Sequence, residues 1–311
     1  MRIGLIDVDG HNYPNLALMK ISAWHKAQGD KVEWYQPLLS GHMDKVYMSK
    51  VFSFTDDYEF VIDADEVITG GTGYAIGLAN GKEHYLKQID TDLPYEIEHT
   101  FPDYSLYGIT DTCYGFLTRG CVRGCDFCIV CDKEGKHSYK VADLSEFWDG
   151  HKNIELLDPN ILACKDWKEL LQQLIDSKAR VNFNQGLDIR MMTDEKAKML
   201  AKIKLNAIHF AWDRYEDKDL IKPKFEAFRK ISKVNPHNLQ VYVLCGDREP
   251  RVLQEDLERI YWLRDNGYAP YVMLYNKDAL PKGHELRKLQ RWVNNRFIFW
   301  KTEKFEDYLT R

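Results

Sequence analysis

The sequence predicts an α/β protein in two parts: a small three-layer domain over residues 1–105, then a partial barrel of repeated strand and helix units over residues 106–311. Three observations predict it. Short apolar runs alternate with helical stretches along most of the 311 residues. The turn Gly70-Gly71-Thr72-Gly73 and the prolines Pro94 and Pro102 punctuate the chain before a boundary near Asp103. Beyond it the strand and helix period is regular, with too few good strands to close an eightfold barrel.

In the first part, Ile3 to Val8 reads as a buried strand, and Asn15 to Ala27 carries apolar residues at helical spacing. Lys31 to Tyr35, Lys45 to Met48 and Glu66 to Thr69 are the next strands. In the second part the expected core strands are Tyr114 to Leu117, Ile154 to Leu157, Val181 to Asn184, Ala207 to Trp212, Leu239 to Leu244 and Tyr271 to Leu274. Phe297 to Lys301 is a further candidate strand. Helices are expected at Asp166 to Asp176, Asp194 to Ile203, Lys218 to Ile231, Leu253 to Leu263 and Glu285 to Trp292, with Thr193 as a cap before Asp194 and Glu195. Pro223 weakens the third of these near its start.

The 43 Lys and Arg against 48 Asp and Glu give a formal charge of -5, so the chain as a whole makes no electrostatic case for a polyanion partner. There is no apolar run of membrane-spanning length and no lipidation signal, so no membrane partner is expected and the cytoplasm is the expected location. The oligomeric state is not legible.

Four of the seven cysteines, Cys121, Cys125, Cys128 and Cys131, crowd into eleven residues of one loop. Without an export signal, clustered thiols point to metal rather than to disulfides. Cys125, Cys128 and Cys131 followed by His137 leave zinc as an alternative, although no second Cys-x-x-Cys knuckle follows. Cys164 and Cys245 sit in or beside apolar runs and read as small buried hydrophobes.

Cys121, Cys125, Phe127 and Cys128, placed after a strand and ahead of the repeated units, resemble the Cys-x-x-x-Cys-x-aromatic-Cys motif of the radical S-adenosylmethionine enzymes. The resemblance covers roughly residues 110–300 and implies a partial (β/α)6 TIM-like barrel. It also implies a [4Fe-4S] cluster on Cys121, Cys125 and Cys128, with S-adenosyl-L-methionine on the fourth iron. Reductive cleavage would give a 5'-deoxyadenosyl radical that abstracts hydrogen from a small-molecule, peptide or RNA substrate, with flavodoxin or ferredoxin as electron donor. The alternative is a non-catalytic electron-transfer or structural cluster protein with Cys131 as fourth ligand. By the same resemblance, Asp158 and Asn160 after the second strand would meet the methionine end of the cofactor. Asn184, Gln185, Asp188 and Arg190 after the third, Asp213 after the fourth and Gly246 after the fifth are further cofactor-binding candidates.

The first part resembles the Rossmann-like cobalamin-binding domain that precedes some radical barrels. Asp9-Gly-His11 is similar to the start of the corrinoid motif, but Pro14 stands where its glycine belongs, so a repurposed domain without cobalamin is expected. Asp7 and Asp9 also resemble the nucleophile loop of haloacid-dehalogenase-like phosphatases, with no downstream lysine and acidic pair to complete it. The stretch Lys282, Arg287, Lys288, Arg291, Trp292, Arg296, Trp300 and Lys301 is basic and aromatic. It reads either as an RNA contact or as an amphipathic helix with Leu286, Leu289 and Trp292 inward, and the acidic chain favours the second.

Overall fold

A computed structural model describes residues 1–79, 82–246 and 253–310. The chain divides into two compact units: Met1–Phe116 with Gly120–His137 and Val141–Ile154, and Leu117–Arg119 with Ser138–Lys140 and Glu155–Arg311.

Strands β1 (Arg2–Asp7), β2 (Lys31–Trp34), β3 (Met43–Ser49) and β4 (Ala64–Gly70) form a parallel sheet of order β2-β1-β3-β4. Alternation along β1 gives it two buried faces. Ile3 and Leu5 pack on Leu18 and Ile21 of helix α1 (Leu16–Ala27) and on Ile97 of the short α2 (Tyr95–Glu98), whereas Ile6 joins Tyr35, Met43 and Val46. Asn15 starts α1 and ties it to the sheet: its Oδ1 accepts from Leu18 N at 3.1 Å and its Nδ2 donates to Ser49 Oγ at 2.8 Å. The Gly70–Gly73 turn folds against the end of β3. Gly71 has φ +100°, and a Cβ there would lie 2.3 Å from the Lys50 carbonyl oxygen. An antiparallel hairpin, β5 (Ile76–Ala79) and β6 (Lys82–Tyr85), follows.

The larger sheet contains β7 (Thr112–Gly115), β10 (Asn153–Leu156), β11 (Arg180–Leu187), β12 (Lys204–Ala211), β13 (Leu239–Cys245) and β14 (Ala269–Leu274), in the order β14-β13-β12-β11-β10-β7. Strands β11 to β14 pair in parallel. The small pair β8 (Thr118–Arg119) and β9 (Tyr139–Lys140) is antiparallel, and α3 (Val130–Glu134) lies in the cysteine loop. Helices α4 (Trp167–Ser177), α5 (Asp194–Leu200), α6 (Lys218–Ser232), α7 (Leu253–Asp265), α8 (Glu285–Asn294), α9 (Arg296–Lys301) and α10 (Phe305–Leu309) complete the chain.

The helices bury the apolar face of this sheet. Val181, Phe183, Ile208, Phe210, Val241, Val243 and Val272 are all buried, and Phe210 meets the rings of Phe225 and Phe228 edge-on at 5.6 and 5.1 Å. Thr193 caps α5 through Lys196 N, and Pro223 is accommodated within α6. The candidate strand at Phe297 to Lys301 is instead helix α9. Asn295 accepts from Ile298 N at 3.1 Å, and Phe299 packs on Trp292 at 5.0 Å, so a cap and a single inward ring turn this segment helical. The architecture is mixed α/β with a smaller and a larger parallel sheet. Such topologies are generic and do not single out the barrel of the radical S-adenosylmethionine enzymes.

No helix among the described residues is long and apolar enough to cross a membrane.

Arg259 of α7 is fully buried and ties down the ends of two core strands. Its guanidinium donates to the carbonyls of Trp212, Asp213 and Leu244 at 2.7 to 2.9 Å and to Asp256 Oδ1 at 2.6 Å. Removing it takes a buried guanidinium away from the Asp256 carboxylate and from three carbonyls at the strand ends. Arg259→Ala is therefore expected to lower unfolding free energy in urea by about 3–5 kcal/mol; a drop under about 1 kcal/mol would contradict this role.

Candidate functional site

The strands of the larger sheet alternate, and the residues between their buried apolar positions are polar. Glu155 interrupts Ile154 and Leu156, Asn182 and Asn184 flank Phe183, His209 lies between Ile208 and Phe210, and Gln240 and Tyr242 flank Val241. Parallel pairing brings them side by side on the face opposite the packed helices, within the second unit.

Glu155 is the hub of this face. Asn182 Nδ2 and Asn184 Nδ2 both donate to Glu155 Oε2, at 2.7 and 2.6 Å. Each is a charge-assisted bond, worth roughly 1.5–3 kcal/mol. Glu155 Oε1 has no hydrogen-bond partner among the described residues. Asn182 Oδ1 is buried and accepts nothing among them. Turning that amide over would set two oxygens against each other, so the carboxylate dictates its orientation.

Next to this hub stand two parallel rings. His209 and Tyr242 stack at 5.1 Å with an interplanar angle of 7°. His209 Nδ1 donates to the Phe183 carbonyl at 2.7 Å, and its Nε2 lies 2.8 Å from the Gln240 side-chain amide oxygen. The Tyr242 hydroxyl donates to the Asn184 carbonyl at 3.0 Å. Burial pushes the Tyr242 phenol above its usual range, and the neighbouring Tyr271 adds to this, so the hydroxyl stays a neutral donor. Tyr271 meets Tyr242 edge-on at 5.9 Å and is 38% exposed. The face therefore offers an anionic oxygen, fixed amides and an aromatic shelf to one small polar molecule.

Of the residues the sequence nominated, Asn184 belongs to this cluster. Gln185 is exposed in a bulge: the pairing of β11 with β12 slips between Phe183 and Leu187, where Gly186 takes φ +89°. Asp188 and Arg190 pair with each other at 2.7 Å, and Arg190 also donates to Asp217 at 2.8 Å. That guanidinium is already engaged by carboxylates of the protein itself. Asp213 receives Arg259 on its backbone carbonyl. Gly246 takes φ +84°, and a Cβ there would lie 3.0 Å from Leu286 Cδ1. The adjoining Asp247 lies outside the described residues. Asn160 is buried at the start of a 3-10 turn.

Asp158 is buried and holds backbone. Its carboxylate accepts from Leu117 N at 3.1 Å and from the amide and hydroxyl of Thr118 at 2.5 and 2.6 Å. Burial raises its pKa to about 6 despite these donors.

The cysteine loop corrects the expectation drawn from it. Among the described residues no group of three or more His, Cys, Asp or Glu is arranged to hold a metal ion. Cys121 Sγ accepts from Arg123 N at 3.4 Å, while the Cys131 thiol donates to the carbonyl of Cys121 at 3.3 Å and to that of Arg123. Burial, with Cys121 and Cys128 nearby, pushes the Cys131 thiol up. Cys125 is half-buried and Cys128 exposed. These positions do not fit a [4Fe-4S] cluster on Cys121, Cys125 and Cys128, with or without Cys131, nor zinc with His137. The S-adenosyl-L-methionine site, the radical chemistry and the electron-carrier alternative, all of which need that cluster, are withdrawn with it. Gly120 has a packing role: a Cβ there would lie 2.1 Å from the His137 carbonyl oxygen.

In the first unit, Asp7 accepts from Tyr107 Oη at 2.6 Å. Asp9 accepts from Val51 N, from Phe52 N at 3.3 Å and from Thr55 Oγ1 at 2.6 Å, which organises the loop after β3. His11 packs against Trp34 at 4.2 Å with the rings tilted by 30°. These contacts give all three residues structural roles.

Sequence reasoning missed Glu155, His209, Gln240 and Tyr242 as site residues. Their signal is present as polar positions at period two inside runs that stand out for their apolar members. No model of a known protein family matches the chain, and no curated protein is found to be similar to it.

The Asp158 geometry gives a pH test. Its folded pKa lies above the unfolded value of 3.8, so its contribution to stability is fully present below that value and is lost as pH rises through about 6. The wild-type melting temperature is expected to fall relative to that of Asp158→Asn between these limits. The substituted side chain would also point an amide N–H at backbone donors, costing about 1–3 kcal/mol at pH 7. Parallel melting curves for the two proteins from pH 4 to pH 7 would contradict the assignment.

Proposed function

We propose that the chain binds a small polar ring compound carrying an exocyclic amino donor on the open face of its larger sheet. The observation that carries this reading is the Glu155 carboxylate, with one oxygen held by two amides and the other left to accept. A ligand amino group would complete it, while the His209–Tyr242 pair and Tyr271 supply a surface for the ring. A carboxylate ligand would be repelled, because the fixed charge at the centre is negative. Support for a binding role also comes from the cost of the arrangement. Six polar side chains are kept on a sheet face where apolar residues would pack without demanding partners.

The comparison of adenine with purine tests this, since the two differ by one amino group. Adenine, cytosine and 2-aminopyridine, titrated by calorimetry, form the set bearing the amino donor, with purine, which keeps only its ring N–H, and benzoate as controls. At least one amino-bearing ring is expected to bind, and its affinity should fall about 10- to 100-fold in Glu155→Gln, the loss of one charge-assisted bond. Equal affinity for adenine and purine, or amino-bearing rings indifferent to Glu155→Gln, would overturn the proposal.

A further inference from the structure

The C-terminal helices carry a surface with a different chemistry. Residues 277–304 hold eight Lys or Arg against three Asp or Glu, in a chain whose net charge is -5. Helix α8 buries Leu286, Leu289 and Trp292, so its cations are left on the outer side. Gly283, Arg287, Lys288 and Arg291 line an open groove with Tyr308 and Leu309 of α10. Arg287 is spent on structure, donating to the carbonyls of Leu280 and Lys277 at 2.9 and 2.7 Å. Lys288 and Arg291, both exposed and one helical turn apart, form no ion pair with any described residue.

Helix α9 adds aromatic faces to this charge. Phe297 is 83% and Trp300 55% exposed, and their i, i+3 spacing sets them on one side of the helix between the exposed cations Arg296 and Lys301. Isolated exposed rings need no explanation, but two rings on one side of a cationic segment combine the two elements that hold a single strand: cations for phosphates and π-faces for bases. A phosphorylated small molecule would use the cations and leave the rings without a role.

We infer that this surface binds single-stranded nucleic acid, with Lys288 and Arg291 contacting phosphates and Phe297 and Trp300 stacking on bases. The test is fluorescence anisotropy of the full chain with a fluorescein-labelled 12-mer of uridylate, and the deoxythymidylate 12-mer in parallel, across a series of KCl concentrations. Binding to either is expected at low salt. In Lys288→Ala/Arg291→Ala the slope of log affinity against log salt should shrink by about 1.4, near 0.7 for each single-strand phosphate that is no longer neutralised. In Phe297→Ala/Trp300→Ala affinity should fall roughly tenfold or more for each stacked base while the slope is kept. All four positions are exposed, and circular dichroism and melting temperature are measured on each variant to check that it is folded. Absence of binding, or binding that survives both double substitutions, overturns the inference. So does heparin competing equally with wild type and the aromatic variant when that variant has lost no affinity, because the bases would then play no part.

Discussion

The two hydrogen bonds that Asn182 and Asn184 make to a single oxygen of Glu155 organise the open face of the larger sheet. They cross from β11 to β10, settle which way both amides point, and leave the second carboxylate oxygen unengaged by any described residue. The neighbouring contacts extend from there. Tyr242 reaches the Asn184 carbonyl, His209 stacks on Tyr242 and reaches the Phe183 carbonyl, and Gln240 meets His209. A polar network across four adjacent strands is thus held in one geometry, with its orienting charge at one end. Low local dielectric strengthens such a network and makes each missing partner costly, so its members act together.

This face exists because the opposite one is apolar. The same period-two alternation that buries Phe183, Ile208, Phe210 and Val241 beneath helices places the polar residues on the other side. A slip of one residue in β11 would exchange the two sets. The pairing of β11 with β12 shifts between Val181 and Asn182 and again between Phe183 and Leu187, so Asn182 follows the first irregularity and Asn184 falls within the second. Arg259 secures the far ends of β12 and β13 by taking up carbonyls that leave the ladder there. The site therefore rests on ordinary packing and strand register, reinforced by one buried cation.

Much of the fold is legible in the sequence because apolar periodicity is local. The strands near Ile3, Val181, Ala207 and Leu239, the helix after Asn15 and the cap at Thr193 all follow from short windows of residues. Phe297 to Lys301 misleads because an aromatic run of that length suits either state, and what decides it, the Asn295 cap and the Trp292 contact, is partly tertiary. The hairpin at Ile76 to Tyr85 is signalled in the sequence by Asn80-Gly81, a dipeptide that favours two-residue hairpin loops. The cysteines mislead for a related reason. Spacing shows that four thiols are close along the chain, but their sulfur positions depend on the turn that the loop adopts, and here Cys131 and Cys121 bond to the loop's own backbone. The open face escapes notice because polar residues inside strands look like interruptions of a core and not like a second surface. Asn184 stands out for its place at a strand end, whereas its partner Glu155 comes from a strand marked only by Ile154 and Leu156.

The central claim is that Glu155 and its two amides form one binding surface with the His209–Tyr242 shelf. It is tested most directly by following the side-chain amide signals of Asn182 and Asn184, assigned by substitution, in heteronuclear NMR spectra during titration with adenine. The account predicts that both amides and the His209 ring shift together along a single saturation curve. Shifts confined to residues away from this face, with these three groups unmoved at saturation, would contradict it.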